Sequence, residues 1–157
     1  MIERSLQINY SEYSSIDELA SGDRVLALSA IEAIDGSYAP YSHFNVGAAV
    51  LLSDGTIVKG ANQENAAYPS GLCAERTAMF AAGAAYPDLQ IRSIAVAARQ
   101  NGILCSEPAA PCGACRQVMA QYQTKSGQPL SVILVGSKKV QKFTKVDDLL
   151  PFIFDNI

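Results

Sequence analysis

The stretches Cys73-Ala74-Glu75 and Pro111-Cys112-Gly113-Ala114-Cys115 decide the fold of this chain, because they must meet in space if they are to act together. Between them they supply three thiols and one carboxylic acid. Thiolates bind zinc readily, and a catalytic zinc ion has three protein ligands and leaves its fourth position to water. The sequence therefore predicts one zinc ion per chain, held by Cys73, Cys112 and Cys115.

Glu75 lies two residues after the first thiol, which places a carboxyl group close to the metal without using it as a ligand. Zinc lowers the pKa of a bound water molecule toward neutrality, so that this water becomes a nucleophile. Hydrolysis also needs a group that moves the proton of the water, and a carboxyl group can do this. Glu75 is therefore the candidate catalytic residue.

Other interpretations of the thiols stay open at this point. A Cys-x-x-Cys pair also suits a redox pair or a structural zinc site. A closed, non-catalytic site would take Cys105 as its fourth ligand, and it would leave Glu75 without a role. A surface disulfide is disfavoured, because nothing else in the sequence is typical of a secreted protein.

The composition indicates what kind of partner to expect. Charged residues make up 17% of the 157 residues, against about 25% in typical globular proteins, while hydrophobic residues reach 49%. This balance predicts more buried surface than one small domain needs, and therefore an oligomer. The formal net charge is −3 and Lys and Arg form no cluster, so we expect a small-molecule substrate and no nucleic acid.

No apolar run is long enough to span a membrane, and the N-terminus has no signal-peptide pattern. We therefore expect no membrane association. A cytoplasmic location is expected, because thiols stay reduced there and can bind a metal.

Predicted strands and helices follow one another along the chain. The apolar run 44–52, the turn Ser53-Asp54-Gly55 and the pair Ile57-Val58 predict a hairpin. This order of elements predicts an α/β fold, namely a three-layer α-β-α sandwich with one mixed sheet of about five strands. The predicted strands are 44–52, 57–58, 91–98, 131–136 and 140–144; the predicted helices are 25–34, 73–85, one opened by Pro111 and Cys112, and a short piece at 146–150.

The first predicted helix has apolar residues at helical spacing, namely Val25, Leu28, Ile31 and Ile34, and these predict its core face. Ser15 or Ser21 is expected to cap it. Residues 1–24 are interpreted as an N-terminal extension that packs as an arm, with a possible edge strand within 2–10. Residues 25–157 are interpreted as a single domain.

Both thiol stretches fall at the start of a predicted helix. Three thiolates around one zinc ion leave a net negative cluster. Helix N-termini carry partial positive charge and free N–H donors, which stabilise such a cluster. Ligands at these two helix starts are therefore stabilised in their negatively charged form.

Four stretches of the chain strongly resemble the small homotetrameric, zinc-dependent cytidine deaminases. The resemblance extends from about Leu26 to the C-terminus and includes the spacing of a first ligand followed by x-Glu and then Pro-Cys-x-x-Cys, which zinc deaminases share. The stretches are Tyr41 to Ala49, Asn62 to Tyr68, Cys73 to Ala78 and Pro111 to Val118.

The resemblance implies a role for particular residues. It implies that Cys73, Cys112 and Cys115 bind zinc and that Glu75 shuttles protons. It further implies a substrate site in which Asn62 and Glu64 hold the ribose hydroxyls, Phe44 packs beside the nucleoside, Ala74 offers its backbone to the base, and Arg76 offsets the charge of the thiolates. His43, the only histidine, is expected at the surface, and Cys105 is expected to be a spectator.

The C-terminal stretch Leu149-Leu150-Pro151-Phe152-Ile153-Phe154 carries two aromatic residues. The resemblance implies that Phe154 lies over the base in the site of a neighbouring subunit. The alternative is that Phe152 and Phe154 close the core of their own subunit.

The implied reaction is the hydrolytic deamination of cytidine and deoxycytidine to uridine and deoxyuridine, with release of ammonia, in pyrimidine salvage. Three alternatives are a deaminase of another cytosine nucleoside such as blasticidin S, a polynucleotide deaminase, and a non-catalytic zinc-binding module. The polar loop at Asn62 and Glu64 favours a nucleoside, and the acidic balance disfavours a polynucleotide.

Overall fold

The computed structural model describes residues 1–155 as one mixed β-sheet with helices on both faces. The ranges that define the elements follow. They are β1 Ser11–Tyr13, α1 Ser21–Ala33, β2 Phe44–Leu52, β3 Ile57–Ala61, α2 Ala74–Ala85, β4 Ile91–Gln100, β5 Ile103–Leu104, α3 Gly113–Ser126, β6 Ser131–Val135 and β7 Val140–Phe143, with 3₁₀ turns at Ile16–Glu18, Ile34–Gly36, Tyr68–Ser70 and Val146–Asp148.

The sheet has seven strands, where the sequence predicted about five. Its order is β1-β7-β6-β4-β2-β3, and β5 pairs with the end of β4. The pair β4 and β6 is parallel, and every other pair in the described chain is antiparallel. The two additional strands, β1 and β5, have three and two residues. Strands this short show no hydrophobic alternation, so they form through pairing with a neighbour rather than through their own sequence pattern.

Two separate hydrophobic clusters confirm the three-layer arrangement. The cluster on one face joins α1 to the sheet through residues such as Leu26, Ala30 and Ile133. The cluster on the opposite face joins α2 and α3 to the sheet through residues such as Met79 and Met119. The predicted hairpin at Asp54-Gly55 is also confirmed, because β2 and β3 pair in antiparallel register.

The predicted core face of α1 is wrong in part. Val25 and Leu28 are 53% and 46% exposed, and the buried residues of the helix include Leu26, Ala27 and Ala30. The small residues face the sheet because the helix lies almost against the backbone of β2. A Cβ added at Gly47 would lie 2.3 Å from the carbonyl oxygen of Ala30, so no larger residue fits there.

The predicted cap of α1 also differs from the structure. Ala20 is the N-cap and makes no side-chain hydrogen bond, while Ser21 is the first residue of the helix. Ser15 does cap a helical turn, since its hydroxyl accepts a hydrogen bond from the Asp17 amide at 3.1 Å, but this turn is Ile16–Glu18.

The N-terminal segment passes along the edge of the sheet. Residues 1–10, where an edge strand was considered, have no regular secondary structure, and the strand β1 follows them. The Tyr10 ring stacks on Phe143 with centroids 5.3 Å apart, and the Asn9 amide donates to Asp148 Oδ1 at 3.0 Å. Within residues 1–155, no helix combines the length and the apolar character that crossing a membrane requires.

Candidate zinc centre and active site

The two thiol stretches meet at the N-terminal ends of α2 and α3. Cys73 is the N-cap of α2, Cys112 is the N-cap of α3, and Cys115 lies in the first turn of α3. The sulfur atoms of Cys73 and Cys112 are 3.8 Å apart, and those of Cys112 and Cys115 are 3.4 Å apart. Tetrahedral zinc with Zn–S bonds of about 2.3 Å needs sulfur atoms about 3.8 Å apart. All three sulfurs lie within 4.8 Å of one another, so the thiols fit one zinc ion.

Cys105, the fourth cysteine, is not part of this group in the described chain. Its amide instead donates to the Ala98 carbonyl at 2.9 Å, just beyond β5. The closed four-cysteine structural site is therefore wrong. The thiol group has three protein ligands and leaves room for a fourth, non-protein ligand, as in catalytic zinc sites.

The thiols share hydrogen bonds that separate their pKa values. The pKa of Cys73 is lowered to about 5, mainly by the hydrogen bond from Cys115 and also by Arg76, whose Nη2 lies 3.9 Å from Cys73 Sγ. The same thiol pair raises the pKa of Cys115. Arg76 thus lies beside the Cys73 sulfur, and its buried Nε has no partner among the described residues.

Glu75 lies in the first turn of α2 and is only 4% exposed. Burial raises the pKa of its carboxyl group, and the negative charge of Cys73 raises it further. A raised pKa moves a carboxyl group toward the range in which general acid–base catalysis is efficient.

The position of α2 depends on a close contact with β3. A Cβ added at Gly60 would lie 2.3 Å from the Ala78 amide nitrogen and 2.9 Å from the Ala74 carbonyl oxygen. Because Gly60 has no side chain, the first turn of α2, which carries Glu75, can pack directly on the strand.

A cavity of ≈ 270 Å³ opens beside the thiols, and it has both polar and apolar walls. It adjoins an outer cavity of ≈ 450 Å³, with which it shares Ser42, Asn62, Glu64 and Cys73. Clefts of this order are typical of small-molecule sites. Predicted site residues that line the inner cavity are Phe44, Asn62, Glu64, Cys73, Ala74, Glu75 and Cys112, while Arg76 lines the outer one.

Asn62 is 9% exposed, and its side chain bonds to the start of β2. Its Oδ1 accepts from the Val46 amide at 2.8 Å, and its Nδ2 donates to the Phe44 carbonyl at 2.9 Å. An amide oxygen and an NH₂ group can each make one more hydrogen bond. Asn62 thus holds the strand that carries Phe44, and its side chain can still form hydrogen bonds with a ligand.

Glu64 closes the turn that precedes β2. One of its oxygens accepts from the amides of Tyr41 and Ser42 at 3.0 and 3.3 Å, and the other accepts from the Ser42 hydroxyl. The Ser42 hydroxyl is the main reason why the pKa of Glu64 is lowered, and the Tyr41 amide adds to it. Glu64 is therefore held as a carboxylate.

Sequence reasoning missed several residues of the site. Ser42 stands within a quoted stretch, but nothing in the sequence links it to Glu64, 22 positions away. Val96, Ala109 and Ala110 also line the inner cavity, and these small or aliphatic residues carry no chemical signal. His43 is exposed, as expected, and has a left-handed φ of 53°.

The C-terminal aromatic residues lie outside both cavities and outside the core. Phe152 and Phe154 are 84% and 69% exposed, whereas Ile153 packs against the core between them. The prediction that both aromatics close the core of their own subunit is therefore wrong. The tail is held by α3, because Gln117 Nε2 donates to the Phe154 carbonyl at 2.8 Å.

Known proteins are similar to this chain in sequence and fold. A family model described as the cytidine and deoxycytidylate deaminase zinc-binding region matches residues 21–128. A cytidine deaminase of Halalkalibacterium halodurans is 42% identical over 131 residues, 83% of this chain and 92% of that protein. A cytidine deaminase of Sporosarcina psychrophila is 43% identical over 123 residues, 78% of this chain and 84% of that protein.

The crystal structure of a cytidine deaminase from Burkholderia pseudomallei matches the fold with a TM-score of 0.69 and 42% identity, over 83% of this chain and 97% of that one. The family model covers more than half of the chain and includes all three clustered cysteines. The chain belongs to the cytidine and deoxycytidylate deaminase family.

Proposed function

We propose that this protein is a zinc-dependent cytidine deaminase, which hydrolyses cytidine and deoxycytidine to uridine and deoxyuridine with release of ammonia in pyrimidine salvage. The observation that carries the proposal is the buried Glu75, which lines the same cavity as Cys73 and Cys112 of the three-thiol group. A structural zinc site would have no use for a buried carboxyl group next to an open cavity.

Cys73, Cys112 and Cys115 would hold one zinc ion per chain, and their sulfur separations fit it. When bound, zinc supplies a Lewis acid that lowers the pKa of a water molecule. Arg76 offsets the charge of the thiolates from beside Cys73. The N-termini of α2 and α3 add partial positive charge.

Glu75 moves the protons of the reaction. As a carboxylate it takes one proton from the attacking water and gives it to N3 of the base. It then takes the second proton from the new hydroxyl on C4 and gives it to the amino group, which leaves as ammonia while C4 becomes a carbonyl carbon. Its burial raises the pKa of the carboxyl group, which brings this pKa closer to the working pH of a general acid–base group.

The rest of the cavity holds the nucleoside. Asn62 and Glu64 bind the sugar hydroxyls, Phe44 packs beside the nucleoside, and the Ala74 backbone meets the base edge. All four residues line the inner cavity. Ala74 has an apolar side chain, so only its backbone can form a hydrogen bond with a ligand.

The assembly that we propose is a homotetramer in which Phe154 of one subunit completes the site of another. The exposed Phe154 and the fixed tail support this, since Gln117 holds the backbone while the ring points away from its own core. Residues 1–24 form a packed arm and residues 25–157 form the single domain, of which 156 and 157 lie outside the described residues. The cytoplasm, where thiols stay reduced, is the proposed location.

The test compares ammonia release from cytidine by the parent chain and by Glu75→Gln. The parent should release ammonia while the absorbance of cytosine falls. Glu75→Gln should keep its zinc but lose at least ~10²-fold in turnover, because it cannot carry a proton. Near-normal turnover by a zinc-loaded Glu75→Gln protein would remove Glu75 from the mechanism. Turnover of blasticidin S alone, editing of single-stranded DNA, or no turnover of any of these would each refute the proposed substrate.

A further inference from the structure

The turn before β2 contains a chain of hydrogen bonds that ends on Glu64. The Phe44 amide donates to the Ser42 hydroxyl oxygen at 3.1 Å. The Ser42 hydroxyl in turn donates to Glu64 Oε1. Because the Ser42 oxygen accepts from Phe44, its own proton is free to point toward the carboxylate.

Glu64 is held from its other oxygen as well. Oε2 accepts from the amides of Tyr41 and Ser42 at 3.0 and 3.3 Å. A carboxylate has about four acceptor positions, so the three hydrogen bonds from this turn leave about one for a ligand. The turn therefore determines the orientation of the Glu64 carboxylate and the number of hydrogen bonds that it can still accept.

The turn needs these bonds to keep its shape. His43, between Ser42 and Phe44, has a φ of 53°, which lies in the left-handed region that only a small fraction of residues other than glycine adopt. Such a conformation persists only where surrounding contacts determine it. Ser42 is exposed and lines both cavities, so its hydroxyl stands at the entrance and is not part of the core.

We propose that Ser42 is a positioning residue, which holds the Glu64 carboxylate so that it offers one acceptor to one sugar hydroxyl of the substrate. This inference rests on the proposed function, because it gives Glu64 a sugar to bind. Ser42 acts through Glu64 and does not touch the reacting atoms. Its loss should therefore weaken binding of ligands with a sugar and leave the chemical step intact.

The test uses Ser42→Ala, Ser42→Thr, Glu64→Ala and the double variant Ser42→Ala/Glu64→Ala. Ser29→Ala is the matched control, because among residues 1–155 the Ser29 hydroxyl bonds only to the Val25 carbonyl within α1, away from both cavities. Each protein is first checked for zinc content and thermal unfolding. KM and kcat for cytidine are then measured, and binding of uridine and of uracil is measured by calorimetry.

Ser42→Ala should raise KM for cytidine and Kd for uridine by about 10-fold, which is the lower end for a lost hydrogen bond to a charged group. Its kcat and its affinity for uracil should change by less than about twofold. Ser42→Thr, which keeps the hydroxyl, should restore the parent values, and Ser29→Ala should match the parent. In the Glu64→Ala background, Ser42→Ala should add less than about a twofold effect, because contacting residues that act as a unit are not additive.

Two results would overturn the proposal. The first is a Ser42→Ala protein with parent KM and Kd values. The second is a double variant whose losses multiply, since Ser42 would then not act through Glu64. These results differ from a failure of the proposed function, in which the parent chain itself would neither release ammonia from cytidine nor bind uridine, and the Ser42 inference would fail with it.

Discussion

Replacement of Gly60 by alanine tests how strongly the contact between β3 and α2 determines the site. The added Cβ would lie 2.3 Å from the Ala78 amide nitrogen, whereas real Cβ contacts essentially never fall below 3.0 Å, so α2 must move away by at least 0.7 Å. The atoms that this Cβ would meet belong to the backbone of α2, and backbone atoms cannot move aside by a side-chain rotation. Overpacking of this kind destabilises by about 1–3 kcal/mol. For a chain of this size Tm should fall by roughly 3–10 °C.

The same shift should change the geometry of the active site. Cys73 and Glu75 lie at the start of α2 and would move relative to Cys112, which lies at the start of α3. A misplacement of about 1 Å can cost ~10²-fold in rate, so we expect kcat/KM to fall by at least ~10-fold in Gly60→Ala. Zinc release to a chromogenic chelator should also become faster. The assays are thermal unfolding, deamination of cytidine and zinc release.

The matched control is Gly22→Ala, since a Cβ at Gly22 in α1 meets nothing within 4 Å. Its Tm should be equal to or above that of the parent, because alanine favours the helix. If Gly60→Ala kept the Tm, the activity and the zinc-release rate of Gly22→Ala, the reasoning that this glycine positions α2 would be refuted.

Three further predictions concern the ligands, the sugar and the tail. Cys112→Ala should lose zinc and activity together, while Cys105→Ala should keep both, as measured by metal analysis and ammonia release. Glu64→Ala should impair turnover of cytidine more than that of free cytosine, since a site built for hydroxyls discriminates through them. Mixing Glu75→Gln chains with Phe154→Ala chains should give tetramers more active than either parent, because some sites then combine an intact Glu75 with a neighbour's intact Phe154.

Each of these predictions has a contrary outcome. Release of zinc by Cys105→Ala would restore the closed structural site. Equal losses on cytidine and cytosine would separate Glu64 from sugar binding. No gain on mixing, with subunit exchange demonstrated and both parents defective, would show that Phe154 does not act in a neighbouring subunit.

The sequence predicted best those elements whose ends carry chemistry or a strong turn. Cys73 and Cys112 mark the starts of α2 and α3 to within one residue, because thiol ligands gain from helix N-termini. The Asp-Gly turn likewise located the β2–β3 hairpin. The face of α1 was misjudged, because Val25 and Leu28 are apolar yet exposed, and the close contact at Gly47 selects small residues for the buried face.

The thiols and Glu75 could be predicted because their residue types and spacing are typical of a zinc site with a nearby proton-transfer group. The role of Ser42 could not, because it depends on a hydrogen bond to a residue 22 positions away. The hydrogen bonds of Asn62 to the backbone of Phe44 and Val46 are of the same kind. Such contacts arise from the packing of β2 beside β3, which no local pattern encodes.

The tail offers a physical argument for association that is independent of composition. Ile153 packs inward while Phe152 and Phe154, on either side of it, are 84% and 69% exposed, so the two aromatic rings lie away from their own core. The Phe154 carbonyl accepts a hydrogen bond from Gln117 of α3, which holds the backbone of the tail in this position. Burial of a phenylalanine side chain contributes about 1.5–3 kcal/mol. Association of subunits through this tail would recover that free energy twice per chain, which favours an assembly in which the tail meets a neighbour.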